Sequence, residues 1–239
     1  MKRYTNYCCY VILIGLIGFF SACKKVIGTG PTISEVRNIE GFDKVSLAID
    51  ASVKLTQDSI FKVEVVAQQN ILNELVTKVS GSTLIIMYRP GTAVIGKDVL
   101  IHISMPTIQD LNVSGSGAIQ VQNPIVTNNL DLHVSGSGKV EIPSVEAGQI
   151  TAGISGSGEM SIQSGTATQV SSTISGSGDL DAINIQALHV NTQTSGSGTT
   201  KVYATQTLFA EISGSGNVYY RGNPSVDSKI SGSGKLIKQ

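Results

Sequence analysis

The stretch Ile150-Thr151-Ala152-Gly153-Ile154-Ser155-Gly156-Ser157-Gly158-Glu159-Met160-Ser161-Ile162 decides the fold. Apolar residues stand at every second position on both sides of a Ser-Gly-Ser-Gly tetrapeptide: Ile150, Ala152 and Ile154 before it, Met160 and Ile162 after it. A period of two marks a strand with one buried face. Glycine reaches backbone angles that other residues reach only with strain, so the tetrapeptide reads as a sharp corner between two strands.

The unit recurs. Ser-Gly-Ser-Gly begins at Ser114, Ser135, Ser155, Ser175, Ser195, Ser213 and Ser231, at spacings of 21, 20, 20, 20, 18 and 18 residues. The alternation travels with it, from Leu130, Leu132 and Val134 to Val226, Ser228 and Ile230. At ~3.3 Å per residue, twenty residues trace one closed coil of two or three short strands and return above its start. Stacked coils then pair each strand with its equivalent, in parallel, around one apolar column. The expected fold class is all-β: a right-handed parallel β-helix, a solenoid with about 20-residue coils. The alternative is an antiparallel meander closed as a barrel, which has no reason to repeat one turn composition at every second turn. The tetrapeptide serines are expected to form hydroxyl ladders between coils. A side chain at the central Gly176 is expected to cost more than one at Gly234, whose terminal coil has a single neighbour.

Residues 34–110 lack the full tetrapeptide, although Ser80-Gly81-Ser82-Thr83 looks like a degenerate copy. Strands are expected at 45–49, 61–65, 84–87 and 99–103. The three-and-four spacing of Ile71, Leu72, Leu75, Val76 and Val79 predicts one short helix near the N-terminal end of the stack. Solenoids need atypical end units, because an open strand edge invites pairing with another chain. No linker-like composition interrupts 34–239, which reads as a single domain.

The start of the chain reads as an address. Lys2 and Arg3, an apolar run from Val11 to Phe20 and the small residues Ser21 and Ala22 describe a signal peptide over 1–22. The run is too short for a comfortable membrane-spanning helix. Phe20-Ser21-Ala22-Cys23 resembles a bacterial lipobox with Phe20 where Leu is usual, which makes Cys23 the expected lipidation site. The alternative is an ordinary signal peptide followed by a chance cysteine. Residues 23–33 then form a lipidated tether. Lys24 after the cysteine resembles outer-membrane sorting, and an acidic run for surface display is absent, so the membrane face stays open.

Composition excludes several activities. Lys plus Arg equals Asp plus Glu at 17 each, and removing Lys2 and Arg3 leaves 15 positive against 17 negative. No basic excess remains for nucleic acid, and 5% aromatics leaves little for base stacking. All three cysteines lie at or before Cys23, so the folded region has no disulfide, cysteine metal site or thiol nucleophile. His102, His133 and His189 show no metal-ligand spacing. The tetrapeptide lacks the Lys of a phosphate-binding loop and is no nucleophile elbow. The residue following it is Ala118, Lys139, Glu159, Asp179, Thr199, Asn217 and Lys235 in turn, which is not the fixed Asp of a calcium-binding β-roll.

One cluster stands out. Glu159 and Asp179 take the same outward position in neighbouring coils, Asp181 lies two residues along that face, and Glu141 sits two coils below Asp181, with Lys139 and Lys201 flanking. Paired carboxylates on a β-helix resemble the layout of polysaccharide hydrolases and lyases. A weak cation site and a solvated charged face are the other readings of these four residues.

The pattern Ile39-x-x-Phe42-x-x-Val45, Val53-x-Leu55-Thr56-Gln57, Leu72-x-x-Leu75-Val76 and Gly81-Ser82-Thr83-Leu84-Ile85-Ile86 leads through Pro106-x-x-x-x-Leu111 into Val113-Ser114-Gly115-Ser116-Gly117. Over about 34–239 this resembles the "putative auto-transporter adhesin, head GIN domain" family of Bacteroidota envelope proteins. The resemblance implies a β-helical fold and, through the family's name, surface interaction. It implies no catalytic residues. The expected function is a non-enzymatic cell-envelope lipoprotein, held to the membrane by its anchor, whose β-helical surface binds or adheres to a glycan, an envelope protein or a host surface. No cofactor and no metal are expected. The alternatives are a polysaccharide hydrolase or lyase using the Glu159/Asp179/Asp181 face, and a purely architectural envelope protein.

Overall fold

The computed structural model describes residues 24–96 and 98–239; the expected signal peptide over 1–22 and the expected lipidation site Cys23 lie outside the described residues. Strands make up 72% of the chain and helix 2%, stacked as parallel coils of about 20 residues in about six turns of a β-solenoid. Each coil has three faces. The strand before each tetrapeptide makes the first, where Leu130, Ile150, Val170, Val190 and Leu208 are successive register partners. The strand after the corner makes the second, beginning with the column Ala118, Lys139, Glu159, Asp179, Thr199, Asn217 and Lys235. A short third face carries Ile125, Val145, Gly165 and Ile185.

Period-two alternation points the apolar set inward, where Leu132, Val134, Ile154 and Ile174 are all buried. The inward column also holds polar residues in its later coils. Ser172 donates to Thr192 at 2.8 Å, and the Thr194 and Thr200 hydroxyls lie 3.2 Å apart, so these buried groups satisfy one another.

The corners depend on backbone. The first glycine of every tetrapeptide has φ between +110° and +123°. Its carbonyl accepts the N–H of the second serine one coil on, as in Ser157 N to Gly136 O and Ser177 N to Gly156 O, both 2.8 Å. The tetrapeptide serines are exposed, and these backbone bonds join the coils where hydroxyl ladders were expected. The fall in spacing from 20 to 18 is also local. Between the strands Asp179–Gly196 and Thr199–Gly214 the register shifts twice on the third face, around Ala182/Gln186 and Ala187/His189, for a net loss of two residues.

The N-terminal third departs from chain order. Lys44–Leu47 and Ser52–Gln57 form a coil inserted between two others. Above it lie Asp110–Gly115 and Ala118–Val121; below it lie Thr83–Tyr88 and Leu100–Met105. The corner of that inserted coil, Ala48-Ile49-Asp50-Ala51, occupies the position of Ser-Gly-Ser-Gly. Ser80-Gly81-Ser82-Thr83 is instead the turn of an antiparallel hairpin, with Ser80 paired to Thr83. The expected helix shrinks to Gln69–Leu72, and Leu75–Ser80 is a strand. Leu75, Thr77 and Val79 also fit a period of two, and β-branched residues favour the extended choice. The segment read as a tether is strand as well: Lys24–Ile27 runs parallel to Thr92–Ile95, and Thr32–Arg37 pairs antiparallel with Lys62–Gln68. These antiparallel strands cover the N-terminal edge of the stack.

Candidate functional site

A solenoid converts sequence spacing into axial columns, so residues about 20 apart become neighbours. Glu159 and Asp179 are register partners on the second face, and Glu141 and Asp181 stand two coils apart with Ser161 between them. All four carboxylates singled out by the spacing reach one surface. Three of the four have a lysine partner there. Lys139 Nζ lies 2.8 Å from Glu141 Oε1 and 3.3 Å from Glu159 Oε2, and Lys201 Nζ lies 3.1 Å from Asp181 Oδ2. Asp179 Oδ1 accepts the backbone N–H of Thr199 in the next coil at 2.9 Å. Asn217 does the same for Lys235 N at 3.1 Å.

The hydrogen bond from Lys139 holds the Glu141 carboxyl below its ordinary range, with Gln120 adding to it against the opposing effect of burial. The same bond holds Lys139 above its usual value. A general acid needs a carboxyl raised enough to carry its proton near neutral pH. Glu141 is moved the other way. The column has the character of a charge ladder, in which lysines bridge acids along the axis. Among the described residues, no group of three or more His, Cys, Asp or Glu is placed to hold a metal ion.

The histidines are dispersed. His133 and His189 are exposed on the first face, with His189 Nδ1 2.9 Å from the Thr207 hydroxyl one coil on. His102 is part-buried in the strand Leu100–Met105.

The larger concavity lies elsewhere. A groove of about 880 Å³ runs along the solenoid axis where the third face turns into the first. Thr107 and Gln109 start it, and Thr127, Ala147, Thr166, Leu188 and Thr205 carry it through successive coils. At ~4.8 Å per coil the groove is on the order of 24 Å long. Its lining is mostly Thr, Asn, Gln, Ala and Gly, with Glu146 the one charged member. The coils stack closely at this turn: Gly148 stands in register after Asn128, and a Cβ there would press on Asn128 O at 2.9 Å. Residue-by-residue reading missed this site, because its members have no unusual chemistry. The repeat of small polar residues just before each first-face strand was the available signal.

The sequence profile of the family described as "Putative auto-transporter adhesin, head GIN domain" matches residues 41–224. The chain belongs to this family. That membership makes it an adhesin-like GIN-domain protein with a β-helical fold, and points to the cell envelope or surface. Solved structures share the fold. One from Bacteroides fragilis NCTC 9343, described as "a putative adhesin", has a TM-score of 0.85 at 23% identity, over 90% of this chain and 100% of that one. A second, from Parabacteroides distasonis ATCC 8503, is described as a "putative lipid binding protein"; its TM-score is 0.75 at 26% identity, over 90% and 100%. A third, from the same strain and described as a "putative adhesin", has a TM-score of 0.74 at 23% identity with the same coverage. No curated protein matches the sequence.

Proposed function

We propose that this GIN-domain protein is a non-enzymatic envelope lipoprotein, anchored in the outer membrane through Cys23, which binds an extended, hydroxyl-rich polymer such as a glycan along the axial groove. The groove carries this reading. It is open at the side, runs across six coils, and presents neutral donors and acceptors at the coil repeat. Its lining has no aromatic ring, so binding rests on many weak hydrogen bonds. Affinity should therefore climb with ligand length until about 24 Å is filled.

The test is a glycan array with the chain lacking residues 1–23, followed by titration of a length series. Thr168→Trp fills the groove from an exposed position and should abolish binding while leaving the melt unchanged. Binding that survives this change places the ligand elsewhere. The enzymatic alternative is carried by the neighbouring acids and has its own assay: release of reducing sugar that disappears in Glu159→Ala/Asp179→Ala. For the anchor, Cys23→Ser should lose labelled fatty acid and leave the membrane fraction.

A further inference from the structure

Antiparallel strands cover the N-terminal edge of the solenoid, whereas no described strand pairs beyond the last coil at the C-terminal edge. Among the described residues, Ser225–Gly232 pairs on one side only, with Thr199–Gly214. Its whole length is exposed, including Val226 at 41% and Ile230 at 47%. These two continue the apolar columns of Leu208 and Ile212, which are 1% exposed one coil earlier. Inward-facing apolar residues on an unpaired strand edge are what natural sheets avoid.

The edge sequence is Ser225-Val226-Asp227-Ser228-Lys229-Ile230-Ser231. It is symmetric in chemical type about Ser228: Asp mirrors Lys, Val mirrors Ile, Ser mirrors Ser. Antiparallel pairing with an identical strand, centred on Ser228, therefore brings opposite charges face to face. Asp227 meets Lys229 of the partner subunit, and Lys229 meets Asp227 of the partner subunit. Both lie on the outer surface, because Asp227 and Lys229 continue the outward Phe209 and Glu211 positions. On the inner surface Val226 faces Ile230 of the partner subunit, and the reverse. At the centre Ser228 faces its own copy, as Ser172 faces Thr192 inside the column at 2.8 Å. Residues directly opposite in an antiparallel pair share a sheet face, so charge meets charge and apolar meets apolar.

We propose that the C-terminal edge is a self-association surface, and that two copies pair tail to tail about a two-fold axis through Ser228. One isologous contact closes the assembly, which makes a dimer and no fibre. The rotation axis is normal to the first face, so it keeps inside on the inside and joins the two apolar columns. It also exchanges the other two faces. The strand Lys235–Lys238, lysine at both ends, is then set against the partner's third face, so it does not meet its own copy. This surface is separate from the groove and does not depend on what the groove binds.

Charge reversal tests the pairing directly. Sedimentation equilibrium on the chain lacking residues 1–23, which retains every described strand, should show a dimer at micromolar concentration. Asp227→Lys places like charges opposite each other at two symmetric points and should weaken the dimer by ~10-fold or more. Lys229→Asp should do the same; Lys229 also lies over the Phe209 ring, 5.5 Å from its centre, so its melt is recorded alongside. The double variant Asp227→Lys/Lys229→Asp restores opposite charges and should recover the dimer to within ~3-fold. A monomeric wild type overturns the proposal. So does a dimer or larger species indifferent to the single reversals, or a double variant that melts normally and stays monomeric.

Discussion

Gly115 and Gly176 hold the same corner in different coils, with φ of +123° and +119°. A Cβ on Gly176 would stand 2.5 Å from Gly156 O, whereas one on Gly115 would meet nothing within 4 Å. The coil beneath Gly115 carries Ile49 at that corner and leaves room. Gly115→Ala should therefore cost only backbone strain, about 1–2 kcal/mol. Gly176→Ala adds a backbone clash and should cost clearly more, about 4 kcal/mol. Thermal melts of the two variants decide it, and equal shifts would contradict the stacking argument. The expected relief at the terminal coil does not arise, since a Cβ on Gly234 already stands 2.5 Å from Ile212 Cγ2 below it. Crowding at these corners comes from the preceding coil, which the last coil has as well.

Two carboxyls give opposite pH responses. Asp110 is pushed above its ordinary value, chiefly by burial, with the like charge of Asp131 adding to this and His133 opposing it. A raised carboxyl pKa means the native state holds the proton more tightly than the unfolded chain, so stability falls as pH rises from 3.8 through the native value. Asp110→Asn should raise Tm at pH 7, and the gain should vanish below about pH 3.8. Glu141 is depressed, so its contribution is present above 4.5 and is lost as pH falls through the native value. Glu141→Gln should lower Tm slightly at pH 7 and leave it unchanged in acid. Melts against pH for both variants would show each curve joining the wild type's in acid, with Asp110→Asn rising above it and Glu141→Gln falling below it as pH increases.

The first-face strands show why the alternation is informative. Ile154, at 3% exposure, points into the column, and Thr173 in the next coil points out. Ile154→Asp buries an unpaired charge and should cost ~4 kcal/mol or more, whereas Thr173→Asp should stay within ~0.5 kcal/mol. Comparable destabilisation of the two, measured by urea unfolding, would refute the register. The helix expected over Ile71–Val79 shows the limit of such patterns. Leu75 and Val79 satisfy a helical spacing and a strand spacing alike. Pairing with Thr83–Tyr88 settled the choice, and that partner is invisible in a local window.

For the molecule as a whole, the inserted coil is the least sequential feature. It brings Ser46 beside Asn112, 66 positions along the chain, as register partners in adjacent parallel strands. Neighbouring strands lie ~4.8 Å apart, within the span a disulfide bridges. In the chain lacking residues 1–23, which has no native cysteine, Ser46→Cys/Asn112→Cys should oxidise to an intramolecular crosslink, read as faster migration on a non-reducing gel. A stack in simple chain order would leave these two positions too far apart to join.

The sequence by itself determined the solenoid, the inward and outward sets and the grouping of Glu141, Glu159, Asp179 and Asp181. Each follows from a short-range period or from a repeat that the stacking preserves. Tertiary structure decided the rest. Glu141, Glu159 and Asp181 pair with Lys139 and Lys201, and Asp179 takes a backbone N–H of the next coil, because side chains reach their neighbours in ways that spacing alone, which does not give rotamers, cannot show. The groove exists because the corners of six coils align, and none of the residues they contribute is unusual alone. The order of the first coils, the hairpin at Ser80–Thr83 and the strand at Lys24–Ile27 depend on which distant edge each segment finds. Strand pairing is made by backbone groups common to every residue, so the sequence fixes that a segment extends and the assembled edges fix where it docks.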